Sequence, residues 1–335
     1  MSTTFIQMLR AAETTGAPIV IDGGLGTALE SRGIDLSHDL WSAALLRQAP
    51  DTLAEVHAEF IRAGARIVTT ASYQATPLGF ERASIPAEEG RRLIEHSVEI
   101  AARTAAAVAA GAVAAGAETA AADSVNCALV AGSVGPYGAA LGDGAEYTGD
   151  YHLSDRDFAD FHRPRIEALV SAGADLLAIE TQPSLPEIRV LADLAEEFAI
   201  PAWLSVTVSD GRHLSDGSLL VELAEALAGS PMIAAIGVNC VRPSLIEEAL
   251  ATLAQHSDLP LIAYPNSGER YDATAMEWQD GPHFDASPQT IAAWADAGAR
   301  ILGGCCRTTP DDIARLAEAV TAKPTTGLSR ASSPD

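Results

Sequence analysis

The chain has 335 residues, of which 48% are hydrophobic and 20% charged, a balance typical of a soluble globular protein with one large domain or two small ones. Its net charge of −24 argues against nucleic acid and anionic membranes as partners, because both require a basic surface. The only lysine, Lys323, lies in a polar C-terminal segment, which excludes a Schiff-base lysine and a phosphate-binding P-loop from the body of the chain.

The first residues do not have the basic and then apolar layout of a signal peptide. The longer apolar stretches are interrupted by glycine and acidic residues, so no transmembrane helix is predicted. We therefore expect a cytoplasmic protein, a setting in which cysteines stay reduced and serve as metal ligands or catalysts more often than as disulfides.

A lead helix is predicted over residues 3–15, followed by alternating strand-like and helix-like segments. Eight short runs are nearly all apolar, as parallel strands buried on both faces require: 18–22, 65–71, 128–134, 174–180, 202–208, 234–239, 259–264 and 299–304. Eight amphipathic segments lie between or after them: 45–63, 87–115, 155–172, 185–198, 217–228, 244–256, 288–297 and 310–322. Three helix-to-strand junctions repeat an Ala-Gly-Ala step at Gly64, Gly173 and Gly298, which predicts a left-handed glycine cap at each.

Eight such units predict an α/β fold of the (β/α)₈ TIM barrel type over residues 1–322, followed by a disordered tail at 323–335. An open doubly wound sheet is the alternative, but DGGLGT at 22–27 does not match its G-x-G-x-x-G fingerprint. Two long segments, 136–153 and 267–285, follow the third and seventh strands. On the C-terminal face of a barrel, such loops usually carry substrate contacts.

Three of the four cysteines end predicted strands. Cys240 closes the sixth strand, and Cys305 and Cys306 close the eighth. The ends of these strands lie within reach of one ion, and three thiolates suit a zinc ion with an open fourth position. The alternatives are buried structural cysteines, or a vicinal disulfide that would close a strained ring. Cys127 precedes the third strand, at the opposite end of the barrel, and is expected to be a core thiol.

Several motifs together resemble the zinc-dependent homocysteine S-methyltransferases over about residues 18 to 320. They are DGGLGT at 22–27, ASYQAT at 71–76, GSVGPYG at 132–138, ET at 180–181, VNC at 238–240, YPNSGE at 264–269 and GGCCR at 303–307. The resemblance is greatest to the single-domain branch that uses S-methylmethionine as methyl donor. It implies a (β/α)₈ barrel, a zinc ion held by Cys240, Cys305 and Cys306, and homocysteine contacts at Asp22, Gly23 and Glu180.

Physical arguments add detail to the substrate site. Glu180 ends an apolar strand and is a candidate partner for the homocysteine ammonium, the alternative being a solvated carboxylate at the rim. The backbone at Asp22 and Gly23 can approach an amino acid closely. Asn239 precedes a cysteine and is placed among the candidate substrate-binding residues, where it could support that cysteine by a hydrogen bond or cap the strand. No catalytic side chain beyond the zinc site is expected, because no general base is needed once zinc has displaced the thiol proton.

A sulfonium donor, S-methylmethionine or S-adenosylmethionine, favours aromatic and acidic surroundings. Aromatic candidates in the predicted C-terminal-face segments are Trp41, Tyr73, Tyr137, Tyr147 and Tyr151, and the segment 136–153 adds Asp143, Glu146 and Asp150. Betaine or methylfolate as donor is the alternative within the family. A zinc- or thiol-binding barrel without turnover, or a metal-free barrel lyase or hydrolase, is the alternative outside it.

Overall fold

The computed structural model describes residues 3–36, 44–114, 127–268, 270–272, 277–279 and 286–322. Its strands are β1 (Ile19–Val20), β2 (Ile67–Thr69), β3 (Leu129–Val134), β4 (Leu176–Gln182), β5 (Ala202–Val206), β6 (Ile233–Asn239), β7 (Leu261–Tyr264), β8 (Arg270–Asp272), β9 (Glu277–Gln279) and β10 (Ala299–Leu302). Eight of them form one parallel sheet in the order β1-β10-β7-β6-β5-β4-β3-β2, and β8 and β9 form a separate antiparallel pair.

The sheet closes on itself between β1 and β2. Ile21 and Ile67 form a parallel bridge, and the backbone N–H of Asp22 donates to the carbonyl of Ile67 at 3.2 Å. With helices following the strands, the molecule is the predicted (β/α)₈ barrel. The carboxyl ends of all eight strands therefore meet at one face.

The helices are α1 (Thr3–Thr15), α2 (Leu25–Glu30), α3 (Leu45–Gln48), α4 (Pro50–Arg62), α5 (Pro77–Arg82), α6 (Ala87–Ala114), α7 (Tyr137–Leu141), α8 (Asp155–Ser171), α9 (Leu185–Glu197), α10 (Leu220–Leu227), α11 (Ile246–Ala254), α12 (Pro288–Asp296) and α13 (Pro310–Thr321). Each predicted junction glycine has a positive φ, from 89° at Gly173 to 110° at Gly64, as a left-handed cap requires. Among the described residues, no helix is both long enough and apolar enough to cross a bilayer.

The prediction of one helix over residues 45–63 is wrong. The segment is two helices, α3 and α4, separated at Ala49, whose φ of −149° and ψ of 59° leave the helical region. Pro50 explains the break: its ring disfavours a helical conformation at the preceding residue, but suits the first position of a new helix. The amphipathic pattern continues across the break, which is why the sequence reads as one helix.

Two apolar cores hold the barrel. The outer core packs the helices against the outward-facing strand residues. The inner core fills the barrel, and α1 contributes Phe5 and Leu9 to it next to Trp203, so the lead helix covers the end where the strands begin. The opposite end, where the strands finish, is left for polar side chains. The predicted domain extent of 1–322 stays a prediction, and the predicted disordered tail at 323–335 lies outside the described residues.

Candidate metal centre and substrate site

Three thiols converge where the strands end. Cys240 directly follows β6, and Cys305 and Cys306 lie in the turn after β10. Their sulfur atoms all lie within 4.8 Å of one another, and the Sγ atoms of Cys240 and Cys306 are 3.6 Å apart. The convergence expected from the sequence is therefore present. Thiolate sulfurs so close together can hold one soft metal ion.

Backbone hydrogen bonds fix the turn that carries two of these thiols. The N–H of Cys305 donates to the carbonyl of Pro265 at 2.8 Å, and the N–H of Ser267 donates to the carbonyl of Cys306 at 3.0 Å. The side-chain oxygen of Asn266 accepts from the N–H of Cys306 at 3.1 Å. The segment after β7 thus holds the Cys305–Cys306 turn in register with Cys240.

The backbone is strained beside the third thiol. Cys240 has a φ of 53° and Thr181 a φ of 60°, and a positive φ is unusual for a β-branched residue. Asn239 stabilises Thr181: its Oδ1 accepts from the Thr181 N–H at 2.8 Å, and its Nδ2 donates to Thr181 Oγ1 at 2.8 Å. The same Nδ2 lies 3.9 Å from Cys305 Sγ. Asn239 therefore links β4 to the thiol cluster, and a direct contact with substrate stays a prediction.

The thiols share negative charge unequally. Hydrogen bonds from Cys305 and Cys306 hold the pKa of the Cys240 thiol well below its usual range, against the opposing effect of burial. The phenol of Tyr147 reinforces this, because its oxygen lies 3.5 Å from Cys240 Sγ. One thiol of the cluster is therefore predisposed to be a thiolate before any metal binds.

Glu180 lies inside the barrel mouth and is buried. Its carboxylate accepts hydrogen bonds from Ser133 Oγ at 2.5 Å and from the Tyr264 hydroxyl at 3.1 Å. Burial raises its pKa to about 7, although the two hydrogen bonds oppose that shift. A carboxylate has about four acceptor positions, so two donors leave room for an ammonium group. Glu180 as a homocysteine contact stays a prediction, but the alternative of a solvated rim carboxylate does not fit its burial.

Asp22 is a second buried carboxyl at this face. Its Oδ2 accepts from the backbone N–H of Thr69 at 2.7 Å and from Thr69 Oγ1 at 3.0 Å. Burial raises the pKa of Asp22 to about 8, and the nearby Glu180 contributes further. A Cβ on Gly23 would lie 2.8 Å from Thr308 Oγ1, so a side chain there would meet Thr308. Their homocysteine contacts also stay predictions.

The segment between β3 and α8 places one acidic and one aromatic side chain near the thiols. A 3-10 helix, Ala145–Tyr147, carries Glu146 and Tyr147. Burial raises the pKa of Glu146 to about 7, and repulsion from Cys240 contributes. Tyr73 is close enough to Glu146 and Cys240 that both add to the burial effect that raises its pKa. Tyr73 is thus placed near the cluster, and its contact with substrate stays a prediction.

A second buried polar cluster anchors this segment from outside the barrel. We call it the outer cluster: His162 and Arg165 of α8, Glu187 of α9, and Tyr151. Glu187 accepts from the Tyr151 hydroxyl at 2.5 Å, from His162 Nε2 at 2.6 Å, and from the backbone N–H of Tyr137 at 2.6 Å. Arg165 donates to the carbonyl of Gly135 and to His162 Nδ1, which leaves the His162 proton on Nε2. Burial lowers the pKa of His162 to about 4.

Other predicted residues have different surroundings from those expected. Tyr137 and Tyr151 pack against each other and against Phe158 of α8, with Tyr137 also meeting Phe161, so their rings belong with the outer cluster. Cys127 is exposed, and its assignment as a core thiol is wrong, because the chain reaches the barrel only at the next residue. Trp41 lies outside the described residues. Thr181 and Asn266 stand within the ET and YPNSGE motifs, but the sequence assigned no role to either, and the structure shows that both support the cluster through hydrogen bonds.

Comparison with known proteins identifies the family. A homocysteine S-methyltransferase family profile matches residues 19–320. A homocysteine S-methyltransferase of Escherichia coli is 47% identical over 300 residues, covering 89% of this chain and 94% of the relative, and the Bacillus subtilis homocysteine S-methyltransferase YbgG is 40% identical over 304 residues, covering 89% and 93%. The E. coli homocysteine methyltransferase MmuM, solved in a metallated form, superimposes with a TM-score of 0.81 at 43% identity, covering 93% of this chain and 99% of that one. The chain belongs to the homocysteine S-methyltransferase family.

Proposed function

We propose that this protein transfers a methyl group from a small sulfonium donor to the sulfur of homocysteine, with zinc held by Cys240, Cys305 and Cys306. The observation that carries the proposal is the convergence of three thiols within 4.8 Å at the carboxyl ends of the strands. The family match supports the acceptor, and the metallated form of the E. coli relative supports a bound metal, for which the three thiols are the candidate ligands.

The donor set fits zinc. Three soft sulfur ligands suit Zn²⁺, and three protein ligands leave a fourth position for substrate. The cluster includes no histidine among the described residues, which distinguishes it from the histidine-rich sites that acidify water for hydrolysis. When bound, zinc would keep the homocysteine sulfur deprotonated yet nucleophilic near neutral pH.

The protein's own groups position the reactants. Glu180 and Asp22 are buried carboxyls whose pKa values burial raises to about 7 and about 8, and the homocysteine ammonium favours their charged forms when it binds between them. The homocysteine thiolate then attacks the donor's methyl carbon in line: a new S–C bond forms as the sulfonium S–C bond breaks, and a neutral thioether leaves. Positioning is the main protein contribution to such a displacement. With S-methylmethionine as donor, both products are methionine.

S-methylmethionine is our preferred donor, ahead of S-adenosylmethionine. A sulfonium releases a neutral thioether, a better leaving group than the tertiary amine that betaine would release. The acidic character of residues 136–153 also favours a cation over an anionic folate. We assign the protein to the cytoplasm, because three thiols whose sulfur atoms lie within 4.8 Å of one another hold a metal only where cysteines stay reduced.

A donor panel tests the proposal. Metal-analysed protein with saturating homocysteine would receive S-methylmethionine, S-adenosylmethionine, betaine or methylfolate, and methionine would be detected by mass spectrometry. We expect the highest kcat/KM with S-methylmethionine. A betaine value above both sulfonium values, or turnover with methylfolate alone, would overturn the donor assignment. Zinc binding without methionine formation from any donor would indicate a non-catalytic thiol-binding barrel.

A further inference from the structure

Glu146 has an unusual setting. It lies in the 3-10 helix Ala145–Tyr147, between Gly144 and Gly149, whose φ values of 86° and 70° allow the chain to turn sharply on either side. The next residue, Tyr147, brings its hydroxyl to 3.5 Å from Cys240 Sγ. The turn therefore delivers neighbouring side chains to the thiol cluster.

One carboxylate oxygen of Glu146 is enclosed without a partner. Oε2 is inaccessible to solvent, and no described residue donates a hydrogen bond to it. The charged groups that act on Glu146 have the same sign: burial is the main cause of its raised pKa, and repulsion from Cys240 and Asp143 adds to it. A buried carboxylate with anionic neighbours is costly unless a cation completes its surroundings.

The other acidic residues of the same segment do not share this setting. Asp143 is exposed, and its Oδ1 accepts from the backbone N–H of Ala145 at 3.1 Å. Asp150 is also exposed. The sequence gives all three residues the same charge, and the structure singles out Glu146 as the one whose carboxylate is partly withdrawn from water.

The surroundings suit a cation that offers no hydrogen bonds. Tyr73, Tyr147 and Cys240 all interact electrostatically with Glu146, so the space around it is aromatic and anionic. A sulfonium has no N–H or O–H to donate and is attracted by charge and by aromatic faces. The homocysteine ammonium has better acceptors in Asp22, which follows β1, and in Glu180 of β4, because both are buried carboxyls at the mouth of the barrel.

We propose that Glu146 selects the methyl donor by recognising the donor's positive charge. This inference rests on the proposed function. Its carboxylate supplies the negative charge that the sulfonium meets, and the donor completes the surroundings of the enclosed oxygen. A neutral donor of the same shape would leave that oxygen buried without a partner.

The test uses two unreactive isosteres of S-methylmethionine. One has a protonated dimethylamino group in place of the sulfonium, and the other an uncharged isopropyl group. The N–H of the first can donate to a carboxylate or to the amide oxygen of Glu146→Gln, so a difference between wild type and that variant reports the charge and not the hydrogen bond. Their dissociation constants are measured by calorimetry on zinc-loaded protein with saturating homocysteine, so no turnover intervenes. We expect the wild-type protein to bind the cationic isostere about tenfold or more tightly than the neutral one, a difference of about 1.4 kcal/mol. In Glu146→Gln the ratio should fall to within about threefold, because a neutral amide replaces the charge.

Two further variants make the result specific. Asp143→Asn removes one charge from the same turn but from an exposed position, and its amide oxygen can still accept from Ala145; it should keep the wild-type ratio. Glu146→Asp keeps the charge and should keep a preference for the cation, which covers the case in which Glu146→Gln does not fold. Zinc content and the dissociation constant of homocysteine, measured by calorimetry, should be unchanged in all three variants.

Three outcomes would overturn the proposal: no preference for the cation in the wild-type protein, a wild-type ratio in Glu146→Gln, or loss of zinc in that variant, which would make Glu146 a metal ligand instead. These binding ratios do not depend on methionine being formed. A failed donor panel would therefore reject the proposed function separately from the role of Glu146.

Discussion

Two buried polar clusters meet the same segment between β3 and α8, and they differ in how completely their charges are paired. In the outer cluster, Glu187 accepts from three donors, and Arg165 supplies an opposite charge through His162. Among the buried side-chain atoms of this cluster, only the Nε of Arg165 lacks a hydrogen-bond partner within the described part of the chain. Around the thiols, Glu146 has an enclosed oxygen to which none of the described residues donates, and Asp22 and Glu180 have pKa values raised by burial.

The difference separates structure from function. A buried network whose groups are paired holds one conformation, because every departure leaves a charge or a donor unsatisfied. A buried group of like charges is unfavourable alone, and becomes favourable when cations bind. The outer cluster therefore holds the segment that carries Glu146 and Tyr147. The carboxyls and thiols at the barrel mouth are like-charged groups that a metal ion or a cationic substrate would stabilise.

The largest effect should come from removing a thiol. Cys240→Ala, Cys305→Ala and Cys306→Ala should each lose most of the zinc and more than about 100-fold in kcat/KM, since even the loss of a residue that only supports a ligand costs 10- to 100-fold. Metal analysis and steady-state rates measure this. Cys127→Ala, at an exposed position, should retain zinc and activity. Full zinc content in all three single variants would remove the metal site from the account.

Breaking the outer cluster should lower the stability of the fold more than it lowers catalytic activity. Glu187→Gln leaves Arg165 without its counter-charge and gives His162 and Tyr151 a poorer acceptor, so the free energy of unfolding should fall by about 3 kcal/mol. Urea denaturation measures this. Since Glu187 also holds the backbone of Tyr137, the KM for donor should rise more than the KM for homocysteine.

Glu197→Gln is the matched control for Glu187→Gln. The ion pair of Glu197 with Arg163 is exposed, and its loss should not change the urea midpoint. Equal midpoints for both variants would contradict the difference between the regions.

Glu180 should affect the acceptor alone. Glu180→Gln should weaken homocysteine binding by roughly 1.5–3 kcal/mol, the range for a hydrogen bond to a charged group, with zinc content unchanged. The KM for homocysteine and its dissociation constant from calorimetry both report this. An unaltered homocysteine affinity would take Glu180 out of the substrate site.

The smallest expected effect is on the pH dependence of the stability of the metal-free protein. The pKa of Glu146 is about 7 when folded and 4.5 ordinarily, so the folded state binds more protons than the unfolded state between those values. Stability should therefore be lost as pH rises through that window. Glu146→Gln removes this loss and should be more stable than the wild-type protein by about 1–2 kcal/mol at pH 8, but not at pH 4. Urea midpoints at the two pH values measure it.

His162 should show the opposite dependence. Its folded pKa, about 4, lies below its ordinary 6.5, so the stability linked to it is complete above pH 6.5 and is lost as pH falls towards 4.

For Glu146, the opposite result would contradict the expected pH dependence. A stability gain of Glu146→Gln at pH 4 and none at pH 8 would show that the Glu146 carboxylate is already paired.

The sequence predicts this architecture well where the physics is local. Eight apolar runs and repeated glycine caps predict the barrel, and the barrel brings Cys240 to Cys305 and Cys306 although 65 positions separate them, because parallel strands end at one face. The helix break at Ala49 could also have been predicted, since Pro50 disfavours a helical conformation at the residue before it. The amphipathic pattern that continues across Ala49 obscured this signal.

Features set by distant contacts could not be predicted. Tyr137, Tyr147 and Tyr151 share one segment, yet Tyr147 reaches Cys240 and the other two join the outer cluster, because Glu187 fixes the backbone from 50 positions away. The left-handed Thr181 depends on Asn239 of another strand. The unpaired oxygen of Glu146 likewise emerges only from packing.

X-ray absorption at the zinc edge tests the central claim most directly, because it counts the sulfur atoms around the metal. The account predicts three sulfur neighbours in the zinc-loaded protein and four after homocysteine is added, all at about 2.3 Å. A sulfur count that homocysteine does not change would contradict it, because the acceptor thiol would then react away from the three cysteines.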